Sequence, residues 1–273
     1  MTLITSPTNR YVKLARSLQE RSWRAKKGLY LIEGVHLLEA ALQAGASLEV
    51  ILYSPRIFTT PRGEKLVAGL QRAGCHCLAV TEEIMAGIST TMTPPGIVAV
   101  VPMQEKKPAD LLAVARPQST SPLLLIIAAG IQDPGNLGTI WRTALGAGAT
   151  GLILTRGCVD PYNPKVVRAA MGATFRLPVA VGVEPSRLAR ELREAGLKLV
   201  IADVGAPLTF WQADLRPPLA LVVGSENHGP GPELLAAATD RVGIPLVGPV
   251  DSLNAAVAAA LLLYEALRQR QKV

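Results

Sequence analysis

Three short polar stretches of this 273-residue chain each follow a predicted strand and carry side chains that could do chemistry. Ligands of an open α/β sheet bind beyond the carboxyl ends of its strands, so these stretches together form the predicted site. The stretches are Asp133–Thr139 with Arg142 six residues after Asn136, then Gly224-Ser225-Glu226, and finally Ile244-Pro245-Leu246 with Ser252-Leu253-Asn254.

The residue types in these stretches indicate polar recognition of a ligand. The planar guanidinium of Arg142 is suited to a phosphate, and a glycine-rich turn at Gly224 exposes backbone N–H groups. Glu226 can accept hydrogen bonds or orient a cation. Asn136 and Ser252 are residue types that cap helices, a role that needs no function, and Arg142 taken alone also fits an ordinary surface arginine.

Two patterns resemble known motifs but lack their context. Gly146–Gly151 matches G-x-G-x-x-G, yet it follows a predicted helix at 137–147 and precedes a predicted strand at 151–154. A dinucleotide site needs the opposite order, so a nicotinamide-dependent oxidoreductase is rejected. Cys75-His76-Cys77 lacks the second ligand pair of a zinc site, so no metal is expected. His228 is a turn histidine and is left out of the site.

The elements that must position these residues fall into two alternating series. Residues 1–101 read as a small α/β domain, residues 102–121 as a proline-rich linker, and residues 122–273 as a second α/β domain. The second domain includes a fully apolar strand at 123–129 and a long final helix at 253–269. Strand-then-helix alternation of this kind predicts a doubly wound parallel sheet.

Most of the formal charge of +7 lies near the N-terminus, where residues 1–30 hold seven basic residues and one acidic residue, Glu20. Such a field attracts a polyanion, although a solvated helix face gives the same composition. No apolar run is long enough to span a bilayer, so we expect a soluble, cytoplasmic protein without a membrane partner. The basic residues are Arg10, Lys13, Arg16, Arg21, Arg24, Lys26 and Lys27.

Taken together, the three stretches resemble the SpoU/TrmH branch of the SPOUT RNA methyltransferases. The resemblance covers residues 122–273, and the segment from Asn163 to Arg168 with Gly172 is similar to the family between its first two motifs. Upstream, residues 30–34 resemble the start of the substrate-binding domain that often precedes this catalytic domain. The departures are small: Leu246 stands where the family often has Met, and Ala255-Ala256 where it often has Val-Ser.

The resemblance implies a deep trefoil knot in the C-terminal domain and a homodimer with a shared active site. It also implies that S-adenosylmethionine is bound through the loops at Gly224, Ile244, Leu246 and Leu253. The implied reaction is methyl transfer to a ribose 2′-oxygen of RNA.

By the same resemblance, Arg142 handles the target nucleotide, and Asn136, Glu226, Ser252 and Asn254 hold the reacting groups in place. Guanidinium stays protonated, so orienting a phosphate and stabilising negative charge suit Arg142 better than acting as a base.

The expected substrate is ribosomal RNA of the large subunit. Transfer RNA, an antibiotic-resistance role and a non-catalytic RNA-binding homologue remain alternatives. The predicted RNA contacts are Arg10, Arg21, Arg24, Lys26 and Lys27.

Overall fold

The structure of the protein, a computed structural model, describes residues 3–113, 122–226 and 228–271. The end of the predicted linker, residues 114–121, lies outside the described ranges. The helices are α1 Arg10–Ser17, α2 Arg21–Lys27, α3 Val35–Gln43, α4 Pro61–Arg72, α5 Glu82–Ile88, α6 Pro108–Leu112, α7 Pro134–Gly146, α8 Pro164–Ala170, α9 Pro185–Glu194, α10 Pro232–Ala237 and α11 Ala255–Arg270. The strands are β1 Leu29–Glu33, β2 Val50–Tyr53, β3 Cys77–Ala79, β4 Ile97–Pro102, β5 Leu124–Ala129, β6 Gly151–Thr155, β7 Val179–Val183, β8 Lys198–Ala202, β9 Leu208–Thr209, β10 Leu219–Gly224 and β11 Asp240–Gly243.

The chain forms two compact units. The N-terminal unit contains the described part of residues 1–103 together with Tyr162–Phe175, and the C-terminal unit contains the rest of the described chain. The inserted segment packs into the N-terminal unit: the rings of Tyr162 and Tyr30 lie 4.8 Å apart, and Val167 shares a core with Ile32. The domain limits expected from the sequence, 1–101, 102–121 and 122–273, stay predictions.

The N-terminal unit has a four-stranded mixed sheet in the order β1-β4-β2-β3. Strand β4 runs antiparallel to both neighbours, whereas β2 and β3 are parallel. Successive side chains of a strand point to opposite faces, so Ile32 and Leu31 belong to different cores. Helices α3 and α4 supply one core, and α1 and α5 supply the other.

The C-terminal unit has a seven-stranded, wholly parallel sheet in the order β7-β6-β5-β10-β8-β11-β9. Leu125 and Ile127 of β5 share a core with side chains of α6, α9 and α10. The alternate residue Ile126 is fully buried on the opposite face, which α7 and α11 cover. The predicted α/β class with a parallel sheet is therefore confirmed, while the trefoil knot stays a prediction.

Two helix caps differ from those expected. Asp133, not Asn136, caps α7, because Pro134 occupies the first helical position and the Asp133 carboxylate accepts from the Asn136 backbone N–H at 2.7 Å. Asn254, not Ser252, caps α11, where its side-chain oxygen accepts from the Ala256 N–H at 3.0 Å. Both asparagines therefore lie in the first turn or at the cap of a helix. The side-chain oxygen of Asn254 caps its helix, whereas the side chain of Asn136 does not.

The glycine pattern at 146–151 lies where the sequence analysis placed it. Helix α7 ends at Gly146, Gly148 has a positive φ of 77°, and β6 begins at Gly151. The pattern is a helix-to-strand turn, as expected. No helix in the described ranges is long and apolar enough to cross a bilayer.

Candidate active site

The site lies at the carboxyl edge of the parallel sheet of the C-terminal unit. Strands β5 and β10 are neighbours, paired from Leu219 with Leu124 to Gly224 with Ala129. Because the two strands are parallel and in step, the loop after Ala129 and the turn after Gly224 emerge side by side. The sheet thereby brings two of the three polar stretches together.

A single carboxylate oxygen joins all three stretches. Glu226 Oε1 accepts from Asn136 Nδ2 at 3.4 Å, from Asn254 Nδ2 at 3.3 Å and from the Ala255 backbone N–H at 3.2 Å. Asn254 Nδ2 also donates to Asn136 Oδ1 at 2.9 Å. Residues far apart in the chain therefore form one network, which we call the Glu226 hub: Asn136, Glu226, Asn254 and Ala255.

The turn after β10 requires glycine because backbone approaches it closely. A Cβ at Gly224 would overlap the backbone of Gly229 and Pro230. The turn is closed by the Gly229 N–H, which donates to the Ser225 carbonyl at 2.9 Å, while the Ser225 N–H donates to Ala129 O at 3.0 Å. The predicted importance of Gly224 thus has a steric cause, and this turn holds Glu226 in place.

Beside the hub lies an apolar cavity of about 170 Å³. All four predicted cofactor residues line it, and so do Glu226 and Ser252. Its charged described residues are two carboxylates, Asp203 and Glu226. Asp203 is ion-paired with Arg241, so the negative charge available to an organic cation in the cavity comes mainly from Glu226. The lining residues are Ala202, Asp203, Val204, Val223, Gly224, Ser225, Glu226, Gly229, Pro230, Val242, Ile244, Leu246, Ser252, Leu253, Ala255 and Ala258.

A second cavity of about 200 Å³, here called the polar cleft, shares Ser225, Glu226 and Ala255 with the apolar cavity. Its other walls include Asp133 and Asn136. The hub therefore forms part of the boundary between an apolar cavity and a polar one. This arrangement can hold a cofactor with an apolar surface and a positive charge on one side and a polar substrate on the other.

Two protein families match the chain, one in each half of its sequence. Residues 123–264 match the SpoU rRNA Methylase family, and residues 9–99 match the MRM3-like substrate binding domain. The chain belongs to the SpoU rRNA methylase family.

Relatives of this SpoU methylase match it along nearly its whole length. It is 36% identical over 266 residues to the 23S rRNA (guanosine(2553)-2'-O)-methyltransferase RlmP of Bacillus subtilis, covering 97% of this chain and 98% of the relative. A crystal structure of an RNA 2'-O ribose methyltransferase superposes with a TM-score of 0.81 at 36% identity, covering 98% of this chain and 99% of that chain. The AdoMet-bound rRNA methyltransferase of Sinorhizobium meliloti gives 0.84 at 30%, covering 99% of each chain.

Arg142 of the SpoU methylase domain is not part of the hub. It lies on the exposed side of α7, six residues and roughly 9 Å along the helix from Asn136, with exposed Thr139 between them. Within the described ranges, no residue forms a hydrogen bond or ion pair with the side chain of Arg142. Its guanidinium is therefore available to a bound molecule rather than committed to the fold.

The sequence analysis missed the loop that follows β8. Asp203 and Val204 line the apolar cavity, and Arg241 Nε donates to the Asp203 carboxylate at 2.6 Å. Strand β8 neighbours β10, so its carboxyl end opens onto the same edge. The signal was present, because residues 199–202 form an apolar run typical of a strand and Asp203 follows it directly.

A cysteine also lies at this edge but is not arranged as a nucleophile. The Cys158 thiol donates to the Ala128 carbonyl at 3.2 Å, and burial raises the pKa of Cys158. A thiol with a raised pKa holds its proton at neutral pH and reacts poorly. The described residues contain no group of three or more His, Cys, Asp or Glu that could hold a metal ion.

Four of the five predicted RNA contacts lie on the surface of the N-terminal unit. Arg10, Arg21, Lys26 and Lys27 are exposed, and the Arg10 guanidinium lies 4.5 Å from the centre of the neighbouring aromatic ring of residue 11. Arg24 is different.

Arg24 is only 3% exposed, and its Nη1 donates to Leu18 O at 2.9 Å and to Gln19 O at 2.7 Å. Its charge binds backbone carbonyls at the end of α1, so its assignment as an RNA contact is corrected to a structural role.

Proposed function

We propose that this protein transfers the methyl group of S-adenosylmethionine to a ribose 2′-oxygen of ribosomal RNA. The observation that carries the proposal is the Glu226 hub, where three polar stretches meet between an apolar cavity and a polar cleft. Membership of the SpoU family and the rRNA methyltransferase named in Bacillus subtilis support the choice of substrate.

The residues of the apolar cavity fit S-adenosylmethionine, which supplies an activated methyl group on a sulfonium. Ile244, Leu246 and Leu253 offer apolar surface, and the backbone around Gly224 offers polar groups at close range. Glu226 places negative charge beside a ligand that carries positive charge, while Asp203 is ion-paired with Arg241. The apolar side chains and the charge of the lining thus agree with this cofactor.

Arg142 and the Glu226 hub have different roles toward the RNA substrate. Arg142 binds a phosphate next to the target ribose and stabilises negative charge on the 2′-oxygen, whose proton passes to solvent water as the oxygen accepts the methyl group. Asn136 lines the polar cleft and is fixed by its bonds to Glu226 and Asn254, so it holds the wall against which the nucleotide is placed. Ser252 contributes a hydroxyl at the cavity rim.

The proposal is tested by comparing Arg142→Ala with Arg190→Ala, an exposed arginine on α9 that serves as a control. We expect Arg142→Ala to bind S-adenosylmethionine normally in a calorimetric titration. Its methyl transfer to ribosomal RNA should fall by at least about 100-fold, because charge stabilisation of this kind is worth that much. Unchanged turnover would remove Arg142 from the mechanism. Absence of cofactor binding in the unaltered protein would overturn the proposal itself.

We also propose that two copies associate through a groove of about 660 Å³ between α7 and α11. Val257, Leu261 and Tyr264 line it and remain 38–52% exposed, which leaves a contiguous apolar face uncovered. Asn136 and Asn254 line the same groove, so a second copy seated there would complete the surroundings of the site.

Sedimentation velocity at micromolar concentration should show a dimer, and Leu261→Glu should yield monomers that lose turnover. A monomeric parent protein would contradict this assembly.

A further inference from the structure

Helix α2 buries a charged side chain and exposes an aromatic one, the opposite of the usual arrangement for a helix on the surface of a domain. Such a helix normally buries its apolar side chains and exposes its charges. Of the seven residues of α2, Arg24 alone is buried, while the indole of Trp23 is 42% exposed. Departures from local folding rules concentrate at functional sites, so the outward position of Trp23 requires an explanation.

The fold fixes this orientation. The Arg24 guanidinium holds the carbonyls of Leu18 and Gln19, and Gly28, with a positive φ of 64°, ends the helix just before β1 begins. Because these contacts set which side of α2 faces inward, Trp23 is held on the outside. By contrast, Trp141 is fully buried and its indole N–H donates to Leu177 O at 3.1 Å.

The surroundings of Trp23 are cationic. Lys26 Nζ lies 5.1 Å from the centre of the indole ring, and Arg21 and Lys27 are exposed on the same short helix. The helix itself contains no acidic residue. An exposed indole among cations offers a partner two kinds of contact at once, a flat apolar face and positive charge.

We propose that Trp23 is a stacking platform for an unpaired base of the RNA substrate, with the adjacent cations holding the flanking phosphates. Unpaired bases stack on exposed aromatic side chains, whereas paired bases inside a duplex present no free face. The inference rests on the proposed function and extends it. The substrate region that docks on the N-terminal unit contains at least one unpaired nucleotide.

The test compares two RNA probes, an oligoadenylate of about twelve nucleotides and a blunt RNA duplex of the same length. The variants are Trp23→Ala, Trp23→Phe and, as a control, Trp211→Ala, which alters another exposed tryptophan. Affinity is measured over a series of salt concentrations, and tryptophan fluorescence is followed during each titration.

We expect Trp23→Ala to bind oligoadenylate about 5- to 100-fold more weakly, because stacking one base is worth that factor. The slope of affinity against salt should stay unchanged, since no phosphate contact is lost. Trp23→Phe should retain most of the affinity but lose the fluorescence quenching of the parent protein. Binding of the duplex, and both kinds of binding by Trp211→Ala, should match the parent.

Two results would overturn the platform alone: parental binding of oligoadenylate by Trp23→Ala, or an equal loss on the single strand and the duplex. A parent protein that binds neither probe would instead overturn the RNA-docking role of the N-terminal unit. The failure of the inference and the failure of the function beneath it are therefore separate outcomes.

Discussion

The hub of the C-terminal unit and the basic surface of the N-terminal unit, formed by Arg10, Arg21, Lys26 and Lys27, differ in how their polar side chains are held. At the hub, polar side chains bind each other: Asn136 and Asn254 both donate to Glu226. On the basic surface, Lys26 and Lys27 are exposed and reach outward. The hub is therefore organised by contacts within the fold, whereas the basic surface contributes a positive field from side chains that face solvent.

This difference determines what a sequence reveals about each region. A site that must fix a cofactor and a ribose depends on geometry, so its residues occur at set positions after particular strands. A surface that attracts phosphate depends on charge density, so its members are identified only by composition. The spacing of residues therefore predicts individual site residues, whereas composition predicts only the region that carries the charge.

After the loss already expected for Arg142→Ala, the next largest effect should come from altering the acceptor at the centre of the hub. One oxygen of Glu226 takes all three donors, and a glutamine retains such an oxygen while an alanine does not. We expect Glu226→Ala to lower turnover roughly 10- to 100-fold, because the amides of Asn136 and Asn254 lose their shared partner. With S-adenosylmethionine at saturation, Glu226→Gln should retain most of the turnover in the same methyl-transfer assay, while its affinity for the cofactor falls because the negative charge is lost.

The matched control is Glu233→Ala, which removes an exposed carboxylate from the first turn of α10. It should leave turnover unchanged. Were Glu226→Gln as damaging as Glu226→Ala, the negative charge rather than the acceptor geometry would be the property that matters, and the hub would need a different explanation.

The sequence predicted much of the C-terminal unit because its signals are local and repeated. Buried parallel strands are continuous apolar runs, so β5 was predicted at 123–129, close to its observed limits of Leu124–Ala129. Strand β7 was missed, since Val179–Val183 is short and contains a glycine with positive φ at Gly182. The helix caps at Asp133 and Asn254 were missed because several capping residues adjoin each helix start and only packing chooses between them.

The sequence could not predict which basic residues face outward or how the inserted segment packs. Arg24 carries the same charge as Arg21, and only the fold shows that its guanidinium holds carbonyls of the preceding turn. Tyr162–Phe175 lies within the range that matches the SpoU family, yet it packs with the N-terminal unit. Both facts depend on contacts between residues distant in sequence, which periodicity does not encode.

An effect of intermediate size separates Arg24 from the basic residues beside it. Arg24→Met leaves the carbonyls of Leu18 and Gln19 without their donor in a buried position, so we expect the free energy of unfolding to fall by about 1–3 kcal/mol. Lys26→Met, the matched control on the exposed side of the same helix, should change stability little. Urea unfolding followed by circular dichroism measures both. If the two variants were equally stable, the hydrogen bonds of Arg24 would not stabilise the fold, and its structural role would be wrong.

The smallest effect should come from the exposed cations, because each contributes one weak and screened contact. Replacing Arg21, Lys26 and Lys27 by glutamine should leave stability and cofactor binding unchanged, since these side chains face outward. The slope of log affinity for single-stranded RNA against log salt should become shallower by about 0.7 for each phosphate contact removed. The same variant should bind RNA almost as well as the parent at high salt, where counterion release no longer favours the charged surface. A slope equal to that of the parent would mean that these cations are only a solvent-exposed helix face and do not contact RNA phosphates. The electrostatic role of this surface would then be wrong.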